Sequence, residues 1–279
     1  MQNRSTAITN AMKIAALAGL LLAAGPVACG EDEQDPNSSH QNEGDNDAGD
    51  SDTEGNTTDD TDPDVTGTSR CELLEPDETT LEGSYEAEHG RVDIRTDADL
   101  RRFQNITEVV GGLLAIVPES ITVDCIELPN LRRVERDVHI QGGFGSVEVV
   151  NLPVLQQARM FEIDDSSSPD SELKEVYAEN LTRLTFGEGM PLAGVDIQTA
   201  RVLERVALPR LAEASGLSVS NAPELMELDV SALGESVGSF TFIDAPKICQ
   251  TYIMDLLERF GLAGDTSGNV VVSNINEEC

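Results

Sequence analysis

The stretch "LPRLAEASGLSVSNAPEL" at 208–225 sets a short apolar–polar–apolar triplet, "LSV" (217–219), between two proline steps, "LPRL" (208–211) and "APEL" (222–225). Working outward, the triplet recurs as "VDI" (92–94), "LAI" (114–116), "VHI" (138–140), "FEI" (161–163), "VDI" (195–197) and "FTF" (240–242), with "VVV" (270–272) as an eighth copy. The last residues of successive triplets lie 22, 24, 23, 34, 22, 23 and 30 positions apart. The proline step recurs as "LPNL" (128–131) and "LPVL" (152–155), with "AENL" (178–181) as a weaker copy. Self-similarity at such a period marks a repeat architecture.

Alternate side chains of a strand face opposite sides, so the outer two residues of each triplet point inward and the middle one points out. A chain that returns about every 23 residues stacks these strands in parallel and buries their apolar residues against neighbouring repeats. Proline donates no hydrogen bond and suits a corner rather than a central strand. Asn151, Asn221 and Asp244, each just before a proline, are placed to bond exposed backbone at turns. The expected fold is mainly β, a right-handed solenoid of about seven to eight short parallel rungs with helical caps at its ends.

The stretches "LTRL", "LPRLAEASGLSVSNAPEL" and "LPNLRRVERDVHI" resemble the receptor L domain, a β-helix-like relative of leucine-rich repeats found in receptor ectodomains. The resemblance covers roughly residues 90–248 and is a rhythm of hydrophobics and turns. It implies a recognition scaffold. The chain carries neither the cysteine-rich module nor the kinase of those receptors, so growth-factor signalling is not implied.

The ends of such a stack need covering. "TDADLRRFQNI" (96–106) offers Thr96 as an N-cap, with Leu100 and Phe103 on one helical face. "KICQTYIMDLLERFGL" (247–262) puts Ile253, Leu256, Leu257 and Phe260 on one face, with Gly261 and Gly264 as stops. Of five cysteines, Cys249 opens this second helix and Cys279 follows the last strand, so their pairing would pin the helix down. Cys71 and Cys125 would then staple the N-terminal segment to the second repeat, although four cysteines allow three arrangements. No CxxC motif or paired histidines support a zinc site.

The first 28 residues read as an export signal: Arg4 and Lys13, then the eleven-residue apolar core Ile14–Ala24, then Gly25-Pro26. That core is shorter than the ~20 residues a bilayer span requires. "VACG" (27–30) resembles a bacterial lipobox, with Pro26 where a leucine is usual, and it implies lipidation at Cys29. Residues 30–69 hold fourteen Asp and Glu and no Lys or Arg, so 29–69 reads as a lipidated cysteine on a disordered acidic tether. As a flexible coil it would span roughly 35 Å. "DSDTEG" (50–55) starts like a calcium loop, but Thr61 at the twelfth position cannot supply the bidentate carboxylate. The folded domain is 70–279, with a net charge of −22. Such a domain does not bind nucleic acid through phosphate neutralisation, and membrane attachment is expected through the lipid alone.

The middle residues Asp93, Ala115, His139, Glu162, Asp196, Ser218 and Thr241 form an outward row, with adjacent members about 4.8 Å apart. Only His139, Glu162 and Asp196 in that row resemble a site. No activated nucleophile joins them, so a solvated polar face is expected, without catalysis, cofactor or metal. Loops "GGFGS" (142–146) and "DDSSSPDS" (164–171) should lie side by side, while "GEGMPLAG" (187–194) sits at the opposite edge. Phe144, Asp164 and Met190 on these loops join the row as candidate ligand contacts.

The expected role is therefore a lipid-anchored outer-membrane or cell-surface protein that recognises or adheres to an extracellular or envelope protein or glycan. A surface spacer without a specific ligand is the alternative. A polysaccharide-active β-helix enzyme is less favoured, because tryptophan is absent and only ten aromatic residues are present to stack on sugars.

Overall fold

The computed structural model describes residues 67–143, 146–166, 170–184, 194–234, 238–265 and 267–277. The expected signal at 1–28, Cys29 and the tether as far as residue 66 lie outside the described residues. The described part is mainly β and builds three parallel sheets.

Strands are numbered in chain order. The middle sheet has eight: β2 (Arg91–Thr96), β4 (Leu113–Ser120), β7 (Asp137–Gln141), β10 (Met160–Asp164), β13 (Val195–Gln198), β15 (Gly216–Ser220), β17 (Ser239–Cys249) and β18 (Val270–Asn276), adjacent in that order. A second sheet aligns β1 (Glu82–Glu86), β3 (Asn105–Val110), β6 (Arg133–Val134), β9 (Gln157–Ala158) and β12 (Arg183–Leu184). The third aligns β5 (Cys125–Glu127), β8 (Val149–Asn151), β11 (Glu175–Tyr177), β14 (Arg205–Ala207) and β16 (Glu227–Asp229). From β3 to β14 the chain visits second, middle and third sheet in that order four times over.

All eight triplets fall in the middle sheet and in one register. Ile94, Ile116, Ile140, Ile163, Ile197, Val219, Phe242 and Val272 are partnered strand to strand. Both outer residues are buried in the first seven triplets, whereas Val272 on the edge strand is 36% exposed. Buried residues of all three sheets join one hydrophobic cluster. Each buried Val, Leu, Ile or Phe contributes about 1.5–3 kcal/mol, and a one-residue slip would turn every one of them outward. Ala115 departs from the expected outward row: it is fully buried, although its neighbours in the row keep some exposure.

The proline steps are reverse turns. In each of "LPNL", "LPVL", "AENL" and "LPRL" the fourth residue's N–H donates to the first residue's carbonyl at 3.0–3.3 Å. Proline at the second position suits this geometry. The first three join the third sheet to the second, while "LPRL" leads from β14 to an isolated parallel bridge between Glu213 and Arg183 of β12. "APEL" makes the same turn but follows β15, between the middle and third sheets, so grouping it with the others is corrected. The matching corner copy is Val230–Leu233, which has no proline.

Left-handed backbones occur just past β13 and β15, at Thr199 and Asn221, and within β17 and β18, at Asp244 and Asn274, all at φ 51–55°. The residues before them, Gln198, Ser220, Ile243 and Ser273, pair in register, so the four bends stack. Asn274 Nδ2 donates to Asp244 Oδ1 at 2.8 Å. Asn151 does not hold its turn as expected. It is fully buried and donates to Glu127 Oε2 and the Thr68 carbonyl.

Helix α1 (Asp97–Phe103) begins at Thr96 with a reciprocal capping box to Asp99, and it buries Leu100 and Phe103. Helix α2 is Gln250–Arg259 rather than 247–262, because Lys247–Cys249 continue β17 and Cys249 pairs with Asn276 of β18. Its buried face is Ile253, Leu256, Leu257 and Phe260. Gly261, at φ 70°, ends it: the Gly261 and Leu262 N–H groups donate to Glu258 and Leu257 carbonyls.

Cys71 and Cys125 form a disulfide with Cα atoms 5.4 Å apart. Beside it the nearly buried Glu127 accepts from the Arg70 and Cys71 N–H groups through Oε2, so the chain from Thr68 runs against the third sheet. Cys249 is also disulfide-bonded. Cys279 lies outside the described residues.

Candidate functional site

Period-2 alternation on β7, β10 and β13 sends Asp137, His139, Glu162, Asp164, Asp196 and Gln198 to one face of the middle sheet. In register His139 stands opposite Glu162, and Glu162 opposite Asp196. The expected row is therefore assembled.

The face is not the freely solvated one expected from sequence. The His139 and Glu162 side chains are only 20% and 25% exposed. His139 Nε2 lies 4.0 Å from Glu162 Oε1, beyond hydrogen-bond reach, and this nitrogen is shielded from solvent with no hydrogen-bond partner. Asp196 Oδ2 accepts from Gln198, while its Oδ1 is likewise enclosed without a partner. Asp137 is matched by Arg159, whose guanidinium donates to both carboxylate oxygens at 2.8 and 2.6 Å. Asp164 accepts from the N–H and hydroxyl of Ser166 at 2.8 and 2.9 Å, a turn that holds its carboxylate at the end of the strand.

Burial holds the Glu162 carboxyl above the usual range, and Asp196, Asp164 and Asp137 push it further in that direction against the opposing influence of His139. One ligand-capable atom each from His139, Glu162 and Asp164 lies within 4.8 Å of the others. The arrangement thus gathers one imidazole and two carboxylates, with a third carboxylate on the next strand. It has the donor chemistry to hold a cation.

Among the loop candidates, Asp164 belongs to this cluster rather than to a separate loop surface. The alternation of Glu162 and Asp164 along β10 was the available signal, and it needs a strand one residue longer than the triplet. The described ends of "GGFGS" and "DDSSSPDS" touch: a Cβ added at Gly142 would overlap Asp165 and Ser171. Asp165 is 3% exposed and pushed up to about 6 by burial. Phe144 and Met190 lie outside the described residues. No protein-family model, no curated protein and no solved structure matches the chain.

Proposed function

We propose that the chain is an exported envelope lipoprotein, held by lipid at Cys29 and carrying a right-handed solenoid like the receptor L domain. It presents this scaffold on an acidic tether for recognition of, or adhesion to, an extracellular or envelope protein or glycan, without catalysis. The observation that supports this reading is the alignment of eight triplets in one parallel sheet, with four successive repeats adding a strand to each of the other sheets in fixed order. A stack of this kind is rigid along its length, and loops on a rigid scaffold are where recognition residues commonly sit. Helices α1 and α2 would close its two ends, which otherwise expose apolar core. Phe144 and Met190 would be contact residues on the loops.

Detergent phase partitioning and capture from intact cells test the two halves separately. Wild-type protein should enter the detergent phase and Cys29→Ser protein the aqueous phase. A Cys29→Ser protein that stays with the membrane would sink the anchor. Saturable capture of one partner, weakened by Phe144→Ala or Met190→Ala, supports recognition. Capture that never saturates would favour the spacer reading.

A further inference from the structure

We infer that His139, Glu162 and Asp164 form a binding site for a single divalent transition-metal ion on the outward face of the middle sheet. The site stands on its own, whether or not Cys29 carries lipid.

Three observations meet here. The first is geometric. An ion about 2.0–2.2 Å from each nitrogen and oxygen donor sets neighbouring donors roughly 3.0–3.5 Å apart. The His139–Glu162 distance is 4.0 Å, and all three donors fall within 4.8 Å. Small side-chain rotations close that gap, and His139, Glu162 and Asp164 sit on adjacent strands whose backbones are already paired.

The second observation is the unused nitrogen. His139 Nε2 is shielded from solvent and bonds to nothing. A buried polar atom left unpaired costs about 1–3 kcal/mol, and a metal ion would take up its lone pair. The third is charge. Arg159 answers Asp137 with two hydrogen bonds, while at Glu162 the carboxylates of Asp196, Asp164 and Asp137 are opposed by His139. A divalent cation relieves that repulsion and satisfies the imidazole together. A protonated His139 would relieve part of the repulsion, but its Nε2 lies 4.0 Å from the Glu162 oxygen, beyond hydrogen-bond reach.

The donor set also selects the ion. Calcium and magnesium favour all-oxygen shells, whereas imidazole with carboxylates suits zinc, manganese, cobalt or nickel. Three protein donors on this partly shielded sheet face leave at least one position for water or a further ligand.

Zinc titration of metal-stripped mature protein by calorimetry, followed by cobalt spectroscopy, tests this. The fourteen tether carboxylates and His40 will add weak background binding, so the decisive comparison is between variants that share the same tether. Wild type should show a site of one ion per chain whose affinity falls at least about tenfold in His139→Gln and in Glu162→Gln. Asp93→Asn, in the same row two strands away, should leave it intact. Since the chain has three histidines, histidine NMR gives a second reading in unmodified protein: zinc should move the ring signals of His139 before those of His40 and His89. Zinc binding that is equal in wild type and both variants, or ring signals that move only for His40 or His89, would overturn the assignment.

Discussion

Four left-handed residues aligned across the last four strands of the middle sheet carry different costs. Asn221, Asp244 and Asn274 have short polar side chains that tolerate this backbone region, and Asp244 and Asn274 are joined by a hydrogen bond. Thr199, at φ 51°, is β-branched, and a left-handed conformation costs such a residue about 1–2 kcal/mol. Thr199→Asn should therefore raise the unfolding free energy by roughly 0.5–1 kcal/mol, measured as a shift in urea midpoint at constant slope. A drop in midpoint would mean that the Thr199 side chain makes interactions worth more than its backbone strain. The bend itself was only partly readable. Asn221 and Asp244 stand out as turn residues before a proline, but nothing in "QTAR" (198–201) marks Thr199 as their equivalent until the strand register aligns them.

At the scale of elements, α2 is fixed by more than its apolar face. The Tyr252 hydroxyl donates to the Leu228 carbonyl of β16, and Arg259 donates to the Val230 and Ser231 carbonyls at the following corner. Burial raises the Tyr252 phenol to about 12. An acid with a raised folded pKa holds its proton longer in the native state, so this contribution is intact below the unfolded value near 10 and is lost as pH rises towards 12. The loss amounts to at most about 3 kcal/mol. The chain has three tyrosines and no tryptophan, so phenolate absorbance can follow each ionisation. One tyrosine should ionise near pH 12 in folded protein and near pH 10 in urea, and Tyr252→Phe should remove that late step. A wild-type titration without that late step, identical in form to that of Tyr252→Phe apart from one fewer phenol, would show that α2 does not bury Tyr252. The apolar face of α2 was legible from its 3.6-residue period. Its start was not, because Lys247–Cys249 are claimed by pairing of β17 with β18, a contact across about 30 residues of chain. The middle-sheet strands were legible because period 2 and a spacing near 23 agree. The corner identity of "APEL" was not, since both corners use the same turn chemistry. The His139–Glu162–Asp196 row followed from register, whereas the shielding of His139 Nε2 depends on how neighbouring side chains settle around it, which a one-dimensional pattern does not contain.

Across the whole molecule, charge sets two effects against each other. Residues 70–279 hold 38 acidic and 16 basic groups, and several bases bridge neighbouring segments, as in Arg133–Glu108, Arg183–Glu213 and Arg205–Glu227. These pairs are largely exposed and are worth about 0–1 kcal/mol each. The 22 excess negative charges repel one another, each pair by about 0.4 kcal/mol at 10 Å in water. Because many such pairs fall within a folded domain and few survive in an extended chain, repulsion outweighs the bridges. Salt shortens the Debye length from about 30 Å at 0.01 M to about 10 Å at 0.1 M and screens both effects. The thermal midpoint should therefore rise as sodium chloride increases over that range, before specific ion effects at molar salt enter. Residues 70–279 without the acidic segment 30–69 should show the same rise, which separates their own repulsion from that segment's. A midpoint that falls with salt would show instead that the cross-strand bridges dominate, and that the acidic excess is spread too widely to strain the fold.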